Sequence, residues 1–220
     1  MRDGDVLDAV DCGGARFEMR IVRVGREECD VRIVPALPPG GPRPRDVRLT
    51  LLQCLPKGRK IDLIVRQATE SGVARIVLLA SEHAVARPRE DDGRVARLIR
   101  VAREALQQSG APMLPEIEGP RPFASIEGAD WGMPLLFHEK PVNGESLHAL
   151  LAGGPREVSL LVGPEGGLSE AEVSLALASG FHPVHFATGV LRVETAATYA
   201  LGAVQTILQE RDAWRPVQAE

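Results

Sequence analysis

Leu160-Leu161-Val162-Gly163-Pro164-Glu165-Gly166-Gly167-Leu168-Ser169 is the stretch on which the fold turns. An apolar run stops at a loop of three glycines, one proline and one glutamate. Ser169 then stands three residues before Glu172, the spacing of a helix-opening capping box. Strand, loop and helix follow one another in ten residues or so. In parallel α/β sheets the loops leaving the carboxyl ends of strands form the ligand crevice. Glycines there let backbone approach a ligand closely. The loop lacks the lysine of a P-loop and is not G-x-G-x-x-G. Ser169 lies past the glycines, so the loop is not a G-x-S-x-G nucleophile elbow. A ligand-binding loop and a plain tight turn both fit these residues.

The alternation continues on either side. Residues 47–55, 73–80, 134–138, 158–162 and 183–186 read as strands. Residues 59–71 set Ile61, Ile64, Val65 and Ala68 on one helical face and stop at Gly72, a natural left-handed cap. Residues 92–109 form an amphipathic helix through Val95, Leu98, Ile99, Ala102, Ala105 and Leu106, with Gly110 after it. Residues 169–179 and 194–210 are the remaining helices. Such alternation predicts an α/β fold, a parallel sheet with helices on both faces. The last helix carries Ala197, Ala200, Leu201, Val204, Ile207 and Leu208 as one stripe, widened by Ala196, Tyr199 and Ala203. A helix apolar over so much of its circumference needs cover on more than one side. Its own sheet supplies one side. A second subunit, as in a homodimer, or deep burial in its own domain supplies the other.

Ahead of this lies a different pattern. Residues 5–10, 16–24 and 29–34 read as short strands, with a polar turn at 25–28. Pro35, Pro38, Pro39, Pro42 and Pro44, with Gly40 and Gly41, then bar helix and central strand alike. The division predicted is a small all-β domain over 1–40 and an α/β domain over 41–220.

Composition narrows the class. The chain has 220 residues, 44% hydrophobic and 25% charged, enough to bury a core without disulfides. Cys12, Cys29 and Cys54 stand singly, which excludes a disulfide framework and a cysteine-based zinc site. No apolar run is long enough to span a bilayer and the N-terminus carries no signal-peptide core, so no membrane is expected and the location predicted is cytoplasmic. The net charge is −4, yet Arg43, Arg45, Arg48, Lys57, Arg59 and Lys60 cluster within 43–60 against Asp46 alone. A local basic patch of this kind holds an anionic partner, though a solvated charged face has the same composition.

Two further strand ends carry candidate chemistry. Phe186-Ala187-Thr188-Gly189-Val190-Leu191-Arg192-Val193-Glu194-Thr195-Ala196 again runs from strand through loop to helix. Phe137-His138-Glu139 closes another strand. Together with the glycine loop these ends make one pocket. His83 and His138 have no ligand set around them, so no metal is expected.

These segments resemble the RsmE family of 16S ribosomal RNA methyltransferases, members of the SPOUT class of S-adenosylmethionine (SAM) enzymes. Gly163-Pro164-Glu165-Gly166-Gly167-Leu168-Ser169 and Leu191-Arg192-x-Glu194-Thr195-Ala196 are similar to the family's two C-terminal signatures. Leu55-Pro56-Lys57-Gly58, followed by Ala68-Thr69-Glu70-Ser71-Gly72-Val73, resembles an upstream element, and Glu104-Ala105-Leu106-Gln107-Gln108-Ser109 another. The four blocks stand in family order and span residues 55–196.

The resemblance implies a trefoil-knotted SPOUT domain, a homodimer, and a PUA-like RNA-binding barrel at the N-terminus. It implies methylation of N3 of one uridine in 16S ribosomal RNA of the small ribosomal subunit. SAM would be held by three loops, residues 136–139, 161–167 and 186–192. On those loops it points to Phe137, His138, Leu161, Val162, Gly163, Gly166, Gly167, Phe186, Ala187, Val190 and Leu191. Glu165 becomes the candidate base or uracil-orienting group, or else a brace holding backbone N–H groups. Arg192 becomes the candidate anion stabiliser, or else a partner of Glu194 or a cap on a strand end. Arg16, Arg20, Lys57, Arg59, Lys60 and Glu70 are candidate RNA contacts, the cations positioning phosphates without reading bases.

The chain departs from the family pattern in places. Members carry a further barrel strand ahead of the Gly4-Asp5 turn, so either Met1 is a wrongly assigned start or the barrel expected here is incomplete. Arginine is usual at the positions of Gly189 and Ala111, and E-R-S is usual where Glu82-His83-Ala84 stands. The missing cations leave room for a second reading, a SAM- or RNA-binding homologue with weak catalysis, and for a third, a SPOUT enzyme acting on another RNA target.

Overall fold

The computed structural model describes residues 2–10, 16–26, 28–34, 47–84, 93–111, 113–141 and 143–210. The proline-rich 35–46 stretch falls outside these residues.

Three strands open the chain: β1 (Val6–Val10), β2 (Arg16–Val24) and β3 (Cys29–Val34). They pair antiparallel in chain order. A turn closed by Gly25 N–H donating to the Glu28 carbonyl at 2.8 Å joins β2 to β3. In register, Leu7, Met19 and Ile33 share one face, and Ile21 and Val31 extend it. Val31 and Ile33 on this apolar face remain exposed.

The second sheet has six strands in the order β6-β5-β4-β8-β7-β9, and every pairing is parallel. Its strands are β4 (Arg48–Cys54), β5 (Arg75–Ala80), β6 (Glu116–Pro122), β7 (Met133–Phe137), β8 (Glu157–Val162) and β9 (His182–Val184). The central strands are apolar on both faces because helices cover both faces. Sequence reading missed β6, whose EIEGPRP run carries two prolines. Those prolines are tolerated because β6 is an edge strand with a partner on one side only. It also started β9 one residue late and ended it two residues late.

On one face lie α1 (Lys60–Glu70), α2 (Arg94–Ser109) and α5 (Val193–Glu210), with the single turn α3 (Leu147–Leu150). Leu49, Leu51, Ile64, Leu98, Leu160 and Leu201 belong to the core beneath them. On the other face, α4 (Glu170–Ala178) and a 3-10 turn (Phe123–Ile126) cover a second core of Leu52, Val77, Leu136, Leu161, Phe123 and Phe181. The capping box is present: Ser169 Oγ accepts from Glu172 N–H at 3.3 Å, and the Glu172 carboxylate accepts from Ser169 N–H at 3.0 Å. Such a cap stabilises a helix by about 1 kcal/mol. Here it also fixes where the glycine loop ends. Gly72 and Gly110 adopt the left-handed conformation expected after α1 and α2.

Candidate active site

Strands β8, β7 and β9 are consecutive in the sheet, so their carboxyl ends lie side by side. Phe137 pairs with Val162 on one flank and with Val184 on the other. The predicted convergence of three strand ends is therefore found in the register. His138 N–H donates to the Val184 carbonyl at 3.0 Å, and the His185 ring approaches the His138 carbonyl at 3.2 Å. Phe137 stacks on Phe186 at 5.3 Å, and Phe186 meets Tyr199 edge-on at 4.7 Å. The stack ties the β7 end to the segment after β9 and to α5.

The glycine loop crosses this edge. Gly167 has φ +71°, and a Cβ there would lie 2.8 Å from Glu139 Oε1. The positive φ is what favours glycine here, since the Glu139 carboxylate is the end of a flexible side chain and can move aside. The Gly167 carbonyl lies 3.2 Å from the His83 ring, which joins the β5 end to the same edge. The candidate cofactor residues divide by burial. Leu161 and Val162 are core side chains, so only their backbone can face a ligand. Gly163, Gly166, Gly167, Phe137, His138, Phe186, Ala187 and Leu191 are partly or fully accessible. Val190 is 89% exposed, more than any other large apolar side chain among the described residues.

Glu165 reaches away from the loop toward the turn between β4 and α1. Its Oε1 and Oε2 accept from the Lys57 backbone N–H at 3.1 and 3.0 Å. Oε1 also accepts from Lys60 Nζ at 2.9 Å. Partial burial works to raise the Glu165 pKa. The Lys60 hydrogen bond and the backbone N–H groups outweigh it and hold the carboxyl below its ordinary value. Lys60 is held above its ordinary value, first by the same hydrogen bond, while nearby Arg192 works the other way. Lys60 Nζ also stands 3.8 Å from Glu194 Oε2, an oxygen buried without a hydrogen bond. This three-residue cluster has no local signal in sequence, since 105 residues separate Lys60 from Glu165.

Arg192 is exposed just ahead of α5, its carbonyl accepting from Ala196 N–H at 2.7 Å. Among the described residues no ion pair joins it to Glu194. The other candidate RNA contacts scatter. Lys57 and Arg59 are exposed beside the site. Arg16 and Arg20 lie on β2, where their backbones pair with Val10 and Val6. Glu70 ends α1, roughly 15 Å along the helix from Lys60 at 1.5 Å per residue. Among the described residues no three His, Cys, Asp or Glu side chains form a metal-holding group, and no helix is long and apolar enough to cross a membrane.

A glycine loop, an apolar wall and a carboxylate bonded to a cation thus meet at the carboxyl-end rim of a parallel α/β sheet, the rim at which open sheets of this class bind ligands. Residues 43–205 match the family described as RNA methyltransferase domain, and the chain belongs to that family. Among its relatives, the ribosomal RNA small subunit methyltransferase E of Synechocystis sp. is 33% identical over 166 residues, 73% of this chain and 54% of the relative. The ribosomal RNA small subunit methyltransferase E 2 of Borreliella burgdorferi is 30% identical over 166 residues, 70% of this chain. The chain spans 54% and 64% of the length of these two curated relatives. A Legionella pneumophila methyltransferase solved in complex with SAM is similar in structure, with TM-score 0.84 and 27% identity over 94% of this chain and 84% of that one. The resemblance to the RsmE family read from the four blocks is borne out.

Gly189, where the family resemblance implies arginine, has open space around it: a Cβ built there meets nothing within 4 Å. Gly189→Arg is expected to leave the melting temperature unchanged and, for a chain that methylates RNA as its family's description says, to raise the transfer rate about ten-fold, the equivalent of one charge-assisted hydrogen bond of roughly 1.5 kcal/mol. A filter-binding methylation assay beside a thermal melt reads both. An unchanged rate would mean that the lost cation costs nothing here.

Proposed function

We propose that the chain methylates N3 of a uridine in 16S ribosomal RNA of the small ribosomal subunit, with SAM as methyl donor. The observation that carries this reading is the meeting of both C-terminal signature segments at the start of α1: Glu165 accepts from Lys57 N–H and Lys60, and Lys60 also reaches Glu194. Enzyme class and cofactor rest on the family and on the SAM-bound relative.

The residues present suit that donor. Gly163, Gly166 and Gly167 offer backbone at the strand ends, Phe137 and Phe186 an apolar wall, and Val190 an uncovered apolar side chain. When bound, SAM supplies an electrophilic methyl group. The chain's own task is the uracil. N3 carries a weakly acidic proton and becomes nucleophilic when that proton leaves. A carboxylate held ionised, as Glu165 is, accepts from N3–H and orients the ring. Arg192, exposed at the same edge and free of a pairing with Glu194, stabilises the charge that develops on the imide oxygens. Lys57 and Arg59 hold the RNA backbone alongside.

The finer architecture belongs to the same proposal. Strand β9 is at the sheet edge, yet α5 after it packs against α1 and β8 in the middle. That return supports a knotted C-terminal segment. The antiparallel β1–β3 sheet, with its apolar face partly uncovered, supports a PUA-like unit within 1–40, ahead of a SPOUT domain over 41–220. Tyr199, Gly202, Ala203, Thr206 and Ile207 line a groove on the outer face of α5. A second copy across a two-fold axis would cover it. Analytical ultracentrifugation is expected to give a dimer; a monomer at tens of micromolar would remove that part of the reading. The site of action proposed is the cytoplasm, where small subunits are built.

The deciding experiment is methyl transfer from labelled SAM to small subunits lacking the modification, with the product nucleoside identified by mass spectrometry. 3-Methyluridine is the expected product. A methylated ribose or another base would discard the target and keep the class. SAM binding without transfer would favour the weakly catalytic homologue, which the glycine at position 189 also favours.

A further inference from the structure

Lys60 occupies an unusual place. It is the first residue of α1, where the helix dipole disfavours a cation. Helix stability therefore gives no reason for it. Nor is its ammonium simply presented to solvent for a phosphate. It is 2.9 Å from Glu165 Oε1 and 3.8 Å from Glu194 Oε2. Those carboxylates come from different segments, one from the glycine loop after β8 and one from the first turn of α5. Their side chains are 21% and 16% exposed, while that of Lys60 is 38% exposed. Glu194 Oε2 has no hydrogen bond of its own. A single ammonium is thus the point at which the start of α1 is held to two segments that lie more than one hundred residues further along the chain.

We propose that Lys60 is a positioning residue of the transfer site: by bridging Glu165 and Glu194 it sets the two signature segments relative to each other and aims the Glu165 carboxylate. This rests on the uridine reading above and deepens it. The bridge has two consequences. Loss of the ammonium frees the glycine loop from the α5 start, so the reacting groups lose their alignment while RNA affinity stays. Loss of the same charge also removes the strongest influence lowering the Glu165 pKa. Sign matters here. An ionised Glu165 is the working form, so activity is present above its pKa and is lost as pH falls through it. Removing Lys60 raises that pKa and moves the acid limb of the rate profile upward.

The test compares Lys60→Met and Lys60→Arg with the wild-type protein, measuring kcat, KM for small subunits and the pH dependence of kcat. Lys60→Met is expected to lower kcat about ten-fold or more, leave KM for RNA within about two-fold, and shift the acid limb upward. Lys60→Arg, which keeps the charge, restores kcat to within about three-fold of wild type. If Lys60→Met raises KM with kcat kept, Lys60 is a phosphate contact and the proposal is overturned. A lower kcat with an unmoved acid limb also overturns it, leaving a general structural role. A wild-type protein that makes no 3-methyluridine fails at the first step and sinks the uridine reading, and this proposal with it. An active wild type with an indifferent Lys60→Met sinks this proposal alone.

Discussion

Glu165→Gln is expected to cut kcat for methyl transfer about 100-fold or more while the protein stays folded. The amide keeps the size of the side chain and one oxygen to accept the Lys57 N–H, so the turn it braces survives. What it loses is the charge that pairs with Lys60 and, in the proposed role, the ability to take a proton from a uracil. General-base assistance contributes about 10²–10⁴ in rate, which sets the expectation. In the wild type, the lowered pKa of Glu165 keeps the carboxylate ionised below the usual carboxylate range, so its contribution is full at neutral pH and fades only as pH falls through that lowered value. Single-turnover kinetics on small subunits would measure it. A rate within three-fold of wild type, with a lower melting temperature, would leave Glu165 as a brace and no more.

Leu161→Ala is the second large effect, and it falls on stability. Leu161 is fully buried in the middle of β8, level with Leu52 of β4 and Leu136 of β7. It packs in the core beneath α4, among Leu168, Val77 and Phe181. Sheet neighbours on both sides hold the walls apart, so the cavity cannot collapse. Truncations of this kind cost about 2–5 kcal/mol, and for a domain of this size they lower Tm by roughly 5–15 °C. Chemical denaturation followed by circular dichroism is the measurement. A loss under 1 kcal/mol would mean that α4 settles into the gap. Leu161 sits two residues before the glycine loop, so the variant also separates a core role from a ligand-contacting one.

Leu161 illustrates what the sequence could and could not disclose. Its apolar run gave away a buried strand, and the loop after it gave away a site. The same letters did not tell a side chain facing the core from a backbone facing a ligand. Strand and helix types were legible wherever the apolar period ran uninterrupted, as in α1, α2, β8 and α5. They were not legible in β6, where Gly119, Pro120 and Pro122 mask a strand that needs few backbone donors because it lies at the edge. The meeting of the three strand ends was inferable, because in a parallel sheet all carboxyl ends that carry loops share one rim. The Lys60 bridge was not. A cation near a basic cluster reads as an RNA contact until the fold brings two carboxylates from distant segments onto it. Cys54 is a similar case. As a lone cysteine it says nothing, but full burial beside Glu172 pushes its thiol far above the ordinary range and leaves it unreactive at neutral pH.

The packing of α5 carries a cost in biosynthesis. Val193, Ala197, Ala200, Leu201, Val204 and Leu208 close the core over α1 and the central strands, and α5 is made after every strand it covers. While the nascent chain emerges, Leu49, Leu51 and Leu160 therefore lie beneath an open roof. Parallel pairings between distant strands form slowly in any case. The chain must pass through a stage in which a wide apolar surface is assembled but unroofed, the stage at which chaperones bind and aggregation competes. Emergence of α5, rather than synthesis of the last strand, is the event that lets this core close.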